Sequence, residues 1–224
     1  STATNNSWGI MLESGANYNI YYNSVNLSDN RFTTSSTDLH GCMYVAAAVT
    51  GIDLRNNVFS ATALAGNAAG KTYGIYCLAP NTAFTTIDYN DFYAPGTTNR
   101  FAGFIGSDRT TLADIQAGFG QNTNSLVSDP LFNSGTNLIP QPGSPVIAAA
   151  TFIASVLNDF LNVVRSVTTP TMGAYEQAAD ATAPVITYTP LSITCALGNR
   201  ALNGVNITDA TGVVTVGSLQ PRVY

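Results

Sequence analysis

TTIDYNDF, residues 85–92, sets two carboxylates, Asp88 and Asp91, around an aromatic residue and an asparagine. Taken alone it reads as an acidic site. It is not alone: YNIYYNSV (18–25) and IDLRNNVF (52–59) lie over it in register. Apolar or small residues recur at Tyr18/Ile52/Thr85, at Ile20/Leu54/Ile87 and at Val25/Phe59/Phe92. An asparagine recurs at Asn23/Asn57/Asn90, with spacings of 34 and 33 residues. A second marker precedes each copy, in WGIML (8–12), HGCMY (40–44) and YGIYC (73–77), whose glycines Gly9, Gly41 and Gly74 are 32 and 33 residues apart. Two independent markers sharing one period identify a repeat protein.

Each repeat holds two or three short alternating segments between polar turns, with no helical period. Such a unit cannot bury its apolar face alone, whereas stacked copies share one continuous core. The expectation is therefore all-β: a parallel β-solenoid with about 33 residues per coil and equivalent residues about 4.8 Å apart. The asparagine column has a physical reason in that arrangement. Asn accepts the left-handed backbone of a tight bend, and stacked Asn side chains hydrogen-bond from coil to coil.

Composition supports a packed chain. Of 224 residues, 45% are hydrophobic and only 9% charged, which argues against intrinsic disorder. The net charge of −5 and a single lysine, Lys71, leave no basic cluster for phosphates, so a nucleic-acid partner is not expected. No apolar run is long enough to span a membrane, and VIAAATFIASVL (146–157) reads as a buried segment. STATNNSWGI has neither the charged nor the apolar region of a signal peptide and no initiator Met, which suggests a piece of a larger polypeptide. Cys42, Cys77 and Cys195 are too few and too scattered for a disulfide framework or a zinc site. In the glycine alignment Cys42 lies beside Ile75 and Tyr44 beside Cys77. The two thiols then stand roughly 8 Å apart, beyond bridging distance, and are expected to be free and buried.

The repeat, hydrophobic–x–hydrophobic–x–x–Asn–x–hydrophobic, resembles the right-handed parallel β-helix proteins of the pectate-lyase-like superfamily. The tail continues the likeness. TTLADIQAGFGQ (110–121) reads as a short amphipathic helix through Leu112, Ile115 and Phe119, closed by Gly120. Beyond it, Asn124, Ser125, Asp129, Pro130, Phe132, Ser144, Pro145, Asp159, Arg165 and the Gly173–Glu176 run resemble the C-terminal coils of secreted bacterial β-helices. Residues 1–178 are then the C-terminal part of a parallel β-helix. Asp159, Arg165 and Glu176 are expected to be ion-paired residues closing its last coils. After a linker at 179–184, residues 185–224 resemble the N-terminal half of an Ig-like module found beside such helices in Bacteroidota surface proteins. About 45 residues is half of such a sandwich. The likeness implies an extracellular or outer-cell-surface location.

Alternation selects the side chains that leave the core. Asn19/Asp53/Thr86 form one outward column and Tyr21/Arg55/Asp88 the next, which puts Arg55 within salt-bridge distance of Asp88. The resemblance implies what that pair does in a polysaccharide lyase: a base abstracts the proton α to a uronate carboxylate while Ca²⁺ or Arg neutralises the acid. The catalytic candidates are accordingly Asp53, Arg55, Asp88 and Asp91, with Asp91 at the bend and calcium required only in that reading. His40, the one histidine, is placed at a turn away from these acids. Otherwise no cofactor and no metal are expected. A second outward column, Met11/Met43/Tyr76, is apolar, and with Tyr21 it offers glycan-stacking candidates: Tyr76, Tyr21 and Met43. The balance favours a surface module acting in adhesion or glycan contact without turnover; the alternative is a polysaccharide lyase or glycoside hydrolase on the same outer face.

Overall fold

The computed structural model describes residues 6–28, 38–63, 70–95, 99–177, 185–189 and 204–208. The chain is mostly β and divides into two units, Ser1–Ala178 and Ala179–Tyr224. In the first unit each repeat contributes one strand to each of three sheets. The strands are β1 (Ser7–Leu12), β2 (Asn19–Tyr21) and β3 (Ser24–Leu27); β4 (Leu39–Val45), β5 (Ile52–Arg55) and β6 (Val58–Ala61); β7 (Lys71–Cys77), β8 (Phe84–Asp88) and β9 (Asp91–Tyr93). β10 (Arg100–Ile105) and β11 (Ser107–Arg109) complete the largest sheet, whose order is β1-β4-β7-β10-β11. The other two run β2-β5-β8 and β3-β6-β9. All neighbours are parallel except the β10–β11 hairpin.

The apolar columns of the repeat meet in one core. Ile20, Leu54 and Ile87 line it from one sheet and Phe59 and Phe92 from the next, with those two rings 5.9 Å apart. Leu12, Val45, Cys77 and Ile105 line it from the third. Fully burying side chains of this size stabilises a fold by about 1.5–3 kcal/mol each.

Asn23, Asn57 and Asn90 form a ladder through this core. Asn23 Nδ2 donates to Asn57 Oδ1 at 2.9 Å and Asn57 Nδ2 to Asn90 Oδ1 at 2.9 Å. The same oxygens accept the backbone N–H of the preceding rung, each at 3.0 Å. Asn57 Nδ2 also donates to Ile20 O and Arg55 O. One detail departs from the expectation. The left-handed residues are not the ladder asparagines but the residues before them: Tyr22 (φ 55°), Asn56 (φ 63°) and Tyr89 (φ 55°). That residue turns the chain from one sheet to the next, and the turn aims the following Asn inward.

The far end of the stack is closed by α1 (Leu112–Phe119), set by a Thr111–Asp114 capping box and ended by Gly120 at φ 77°. Ile115 and Phe119 are buried, and Phe119 meets Phe84 edge-on at 5.5 Å. Leu112 is half-buried. The ladder ends where Asn90 N donates to Ser125 Oγ at 3.0 Å.

Two registers differ from the sequence alignment. Ile52 pairs with Phe84, not Thr85, because the pairing shifts before Asp53↔Thr86; Phe84 takes the core place and Thr85 is exposed. In the largest sheet Gly41 pairs with Trp8 and Tyr73, not with Gly9 and Gly74. The glycines serve different neighbours. A Cβ on Gly41 would meet the Trp8 ring at 2.7 Å, whereas one on Gly9 would meet Val25 in the interior at 2.4 Å. Tyr44 therefore faces Tyr76, and Cys77 faces Val45. Cys42 and Cys77 are free and buried; Cys195 lies outside the described residues. His40 sits fully buried within β4 and not at a turn, its Nδ1 accepting from Ser7 N at 3.2 Å.

In the second unit the described residues form an antiparallel pair, β12 (Val185–Thr187) with β13 (Asn206–Thr208). Residues 178–184, 190–203 and 209–224, which hold the expected linker and most of the expected Ig-like half-module, lie outside the described residues.

Substituting Asn57 by Ala strips two donors and three acceptors of their partner in the core. The expected loss is about 3 kcal/mol in denaturant unfolding, against about 1 kcal/mol for Asn23→Ala, whose side chain is only half-buried. Equal losses would mean that the ladder does not act as a buried unit.

Candidate functional site

The acidic candidates separate. Arg55 and Asp88 are register partners, yet they make no ion pair. Arg55 instead grips Asp53 of its own strand, Nε to Oδ1 at 2.7 Å and Nη2 to Oδ2 at 2.6 Å. Tyr21 donates its hydroxyl to the same carboxylate at 2.6 Å. Fork-on-carboxylate geometry is the strong form of this contact, so Asp53 outcompetes Asp88 for the guanidinium. Burial and the Asp53 carboxylate push the Tyr21 hydroxyl above its ordinary pKa. Asp88 is taken by the next turn of chain: Asn124 N donates to Oδ1 at 2.7 Å and Asn124 Nδ2 to Oδ2 at 2.9 Å.

Asp91 is not with them. It begins β9, pairs with Val58 in a different sheet, and is fully buried. Its Oδ1 accepts from Ser128 N at 3.0 Å, and Oδ2 has no partner among the described residues. Burial pushes the carboxyl up to about 8; the Ser128 bond opposes this and Asp129 adds to it. A neutral acid costs far less here than an unpaired buried charge.

The tail residues act as scaffold. Arg165 is buried, with Nη1 3.3 Å from Glu176 Oε2 and Nη2 donating to Gly173 O at 3.0 Å. Its guanidinium lies 3.8 Å over the Tyr22 ring, one of the left-handed corners. Asp159 accepts from the N–H groups of Leu161, Val163 and Glu176 at 2.8 Å each. Ser144 Oγ donates to Pro130 O at 2.6 Å.

An aromatic row crosses the outer face of the largest sheet. Trp8 lies 4.9 Å from Tyr44 and 5.6 Å from Tyr76; Tyr44 and Tyr76 stack at 6.2 Å; Tyr76 and Phe104 stack at 4.6 Å. All four are half-buried, and Met11, 47% exposed, lies beside Tyr44 in register. Beside the row, Tyr73 donates to Asp108 at 2.8 Å and Lys71 pairs with the same carboxylate. Met43 does not belong here: it pairs with Ile10 and Ile75 and is wholly in the core. Aligning the repeats on glycine hides Trp8 and Tyr44, because it slides β4 by one residue, which carries side chains to the other face, and Phe104 lies in a fourth strand beyond the three aligned copies. Aligning on the aromatic residues finds them.

Tyr21 belongs to a separate place, a cleft of about 470 Å³ between the β2–β3 corner and the turns around 156–165 and 174–175. Among the described residues no group of three or more His, Cys, Asp or Glu side chains could hold a metal ion, and no helix is long and apolar enough to cross a membrane.

Asp91 generates a pH prediction. Its folded pKa of about 8 exceeds the ordinary value near 4, so the folded chain holds a proton that the unfolded chain has released between about pH 4 and 8. The Asp91 contribution to stability is fully present below about pH 4, falls across that window and levels off above it. Asp91→Asn keeps the Ser128 bond and has no proton to lose. Thermal melts from pH 4 to about 9 should show the variant lacking this fall and more stable than wild type at about pH 8. Parallel profiles for the two proteins would refute the assignment.

No protein-family model matches the chain, and neither a curated protein nor a solved structure matches it.

Proposed function

We propose that the three stacked parallel sheets are part of a right-handed parallel β-helix of the pectate-lyase-like kind, and that the molecule contacts glycans without turning them over. The observation that carries this reading is the row Trp8–Tyr44–Tyr76–Phe104 on an outer sheet face. The stacked rings cover one another's faces and turn a continuous, rigid apolar edge outward, a surface suited to the C–H faces of sugar rings. The repeat along the stack sets them 4.6–6.2 Å apart, so successive sugars of a chain meet successive rings.

The carboxylates support the absence of turnover in this reading. General acid or base work needs a group free to take a proton from the substrate. Asp53 is held by Arg55 and Tyr21, Asp88 by Asn124, and Asp91 is sealed in the interior. The reading places the chain on the cell surface or outside the cell, as a module of a larger protein whose Ig-like segment serves as a spacer. In the alternative, a lyase or hydrolase using Arg55, Asp53 and Asp88, with calcium for the lyase, those bonds open on substrate binding.

Isothermal titration with a panel of soluble polysaccharides tests both. Tyr76→Ala removes the ring shared by Tyr44 and Phe104, and binding should weaken about two- to tenfold, the worth of one aromatic contact. Unchanged affinity would remove the row from the account. Release of unsaturated uronate, abolished by Asp88→Ala, would replace the non-catalytic reading by the lyase one.

A further inference from the structure

Six large apolar side chains are exposed within the short stretch 157–167: Leu157, Phe160, Leu161, Val163, Val164 and Val167. A cluster of this kind, unlike a single exposed Leu, points to contact with something. The stretch is also tightly built. Asn158 and Val164 bridge antiparallel, Arg165 N donates to Leu157 O at 2.8 Å, and Phe160 N donates to Ala174 O at 2.9 Å. Phe160 is therefore held outward, 77% exposed, edge-on to Tyr175 at 5.8 Å. Both rings line the cleft, and Tyr21 lines it as well.

The polar lining offers an acceptor. Asn158, which lines the cleft, gives its amide to Asn162 at 2.6 Å and keeps its carbonyl oxygen without a donor among the described residues. Charge decides what class of donor fits. Arg165 is paired with Glu176, and Asp159 adds a second carboxylate beside it, so these three groups sum to a net negative charge. Under Tyr21, Asp53 and Arg55 cancel. An anionic ligand is repelled, whereas hydroxyl groups are accommodated.

We propose that this cleft is a second carbohydrate site, taking one or two units of a neutral sugar and not a uronate. Phe160 and Tyr175 present their rings to the sugar, while Asn158 Oδ1 accepts from its hydroxyls. The volume is within the range of small-ligand pockets, and the braced turn means little ordering on binding. The proposal rests on the glycan-contact reading for its ligand class but not for its place.

The test is an amide-resolved NMR titration of the full chain with cellobiose, mannobiose, xylobiose and digalacturonate. At least one neutral disaccharide should shift the amides of Asn23, Asn158, Phe160 and Tyr175. Phe160→Ala should weaken that binding about two- to tenfold while leaving the melting temperature unchanged, because the ring is exposed. Saturation transfer from aromatic protons to the sugar in the wild-type protein gives an independent reading if the variant melts early. Shifts confined to Tyr44, Tyr76 and Phe104 would overturn this site and leave the aromatic row standing. Tighter binding of digalacturonate than of the neutral sugars, or no shift with any of them, would also overturn it.

Discussion

The side-chain amide of Asn57 is the joint on which the first unit depends. It accepts from one rung, donates to the next, and ties down the carbonyls of Ile20 and Arg55 in the same place. An asparagine can do this because one amide carries both an acceptor and two donors. Inside the core each of those bonds has no water to compete with, and each would be costly to leave unmade. The sheets on either side of the corner are only three strands deep where the ladder runs. The ladder holds their relative register as well as their spacing.

The corner before each rung shows what the ladder demands. A left-handed tyrosine or asparagine costs energy that an ordinary bend would not, and the tail offsets it. Thr151 O accepts from Tyr22 and from Asn56, and Thr151 N donates back to Asn56 Oδ1 at 3.0 Å. Arg165 covers the Tyr22 ring. The run from Ser144 to Glu176 has almost no regular structure, yet its turns brace the strained side of the repeat. Its charged residues thereby acquire a reason for being where they are that involves no chemistry on a substrate.

That bracing also links scaffold to surface. The turn that carries Asp159 and Arg165 inward carries Phe160 outward, and the cleft lies between this turn and the first rung. The largest sheet works in the same way, since the strands that bury Val45 and Cys77 present Tyr44 and Tyr76 on the other side. In both places the exposed rings are positioned by residues that never leave the core.

The sequence by itself determined the period, the asparagine column, two of the three apolar columns and the helix at Leu112–Phe119. Each of these repeats or is signalled locally, and a one-dimensional pattern is enough to reveal it. Only the tertiary structure decided the register of the largest sheet, where Gly9, Gly41 and Gly74 look equivalent but yield space to different neighbours. It alone decided that Arg55 turns to Asp53 and Asp88 to Asn124, because competition among nearby partners depends on distances of a few tenths of an ångström. It placed Asp91 in the interior, where a strand start and a bend look the same in sequence. Residues 21–24 and 156–175 meet only in three dimensions, so the cleft between them has no signature in the chain.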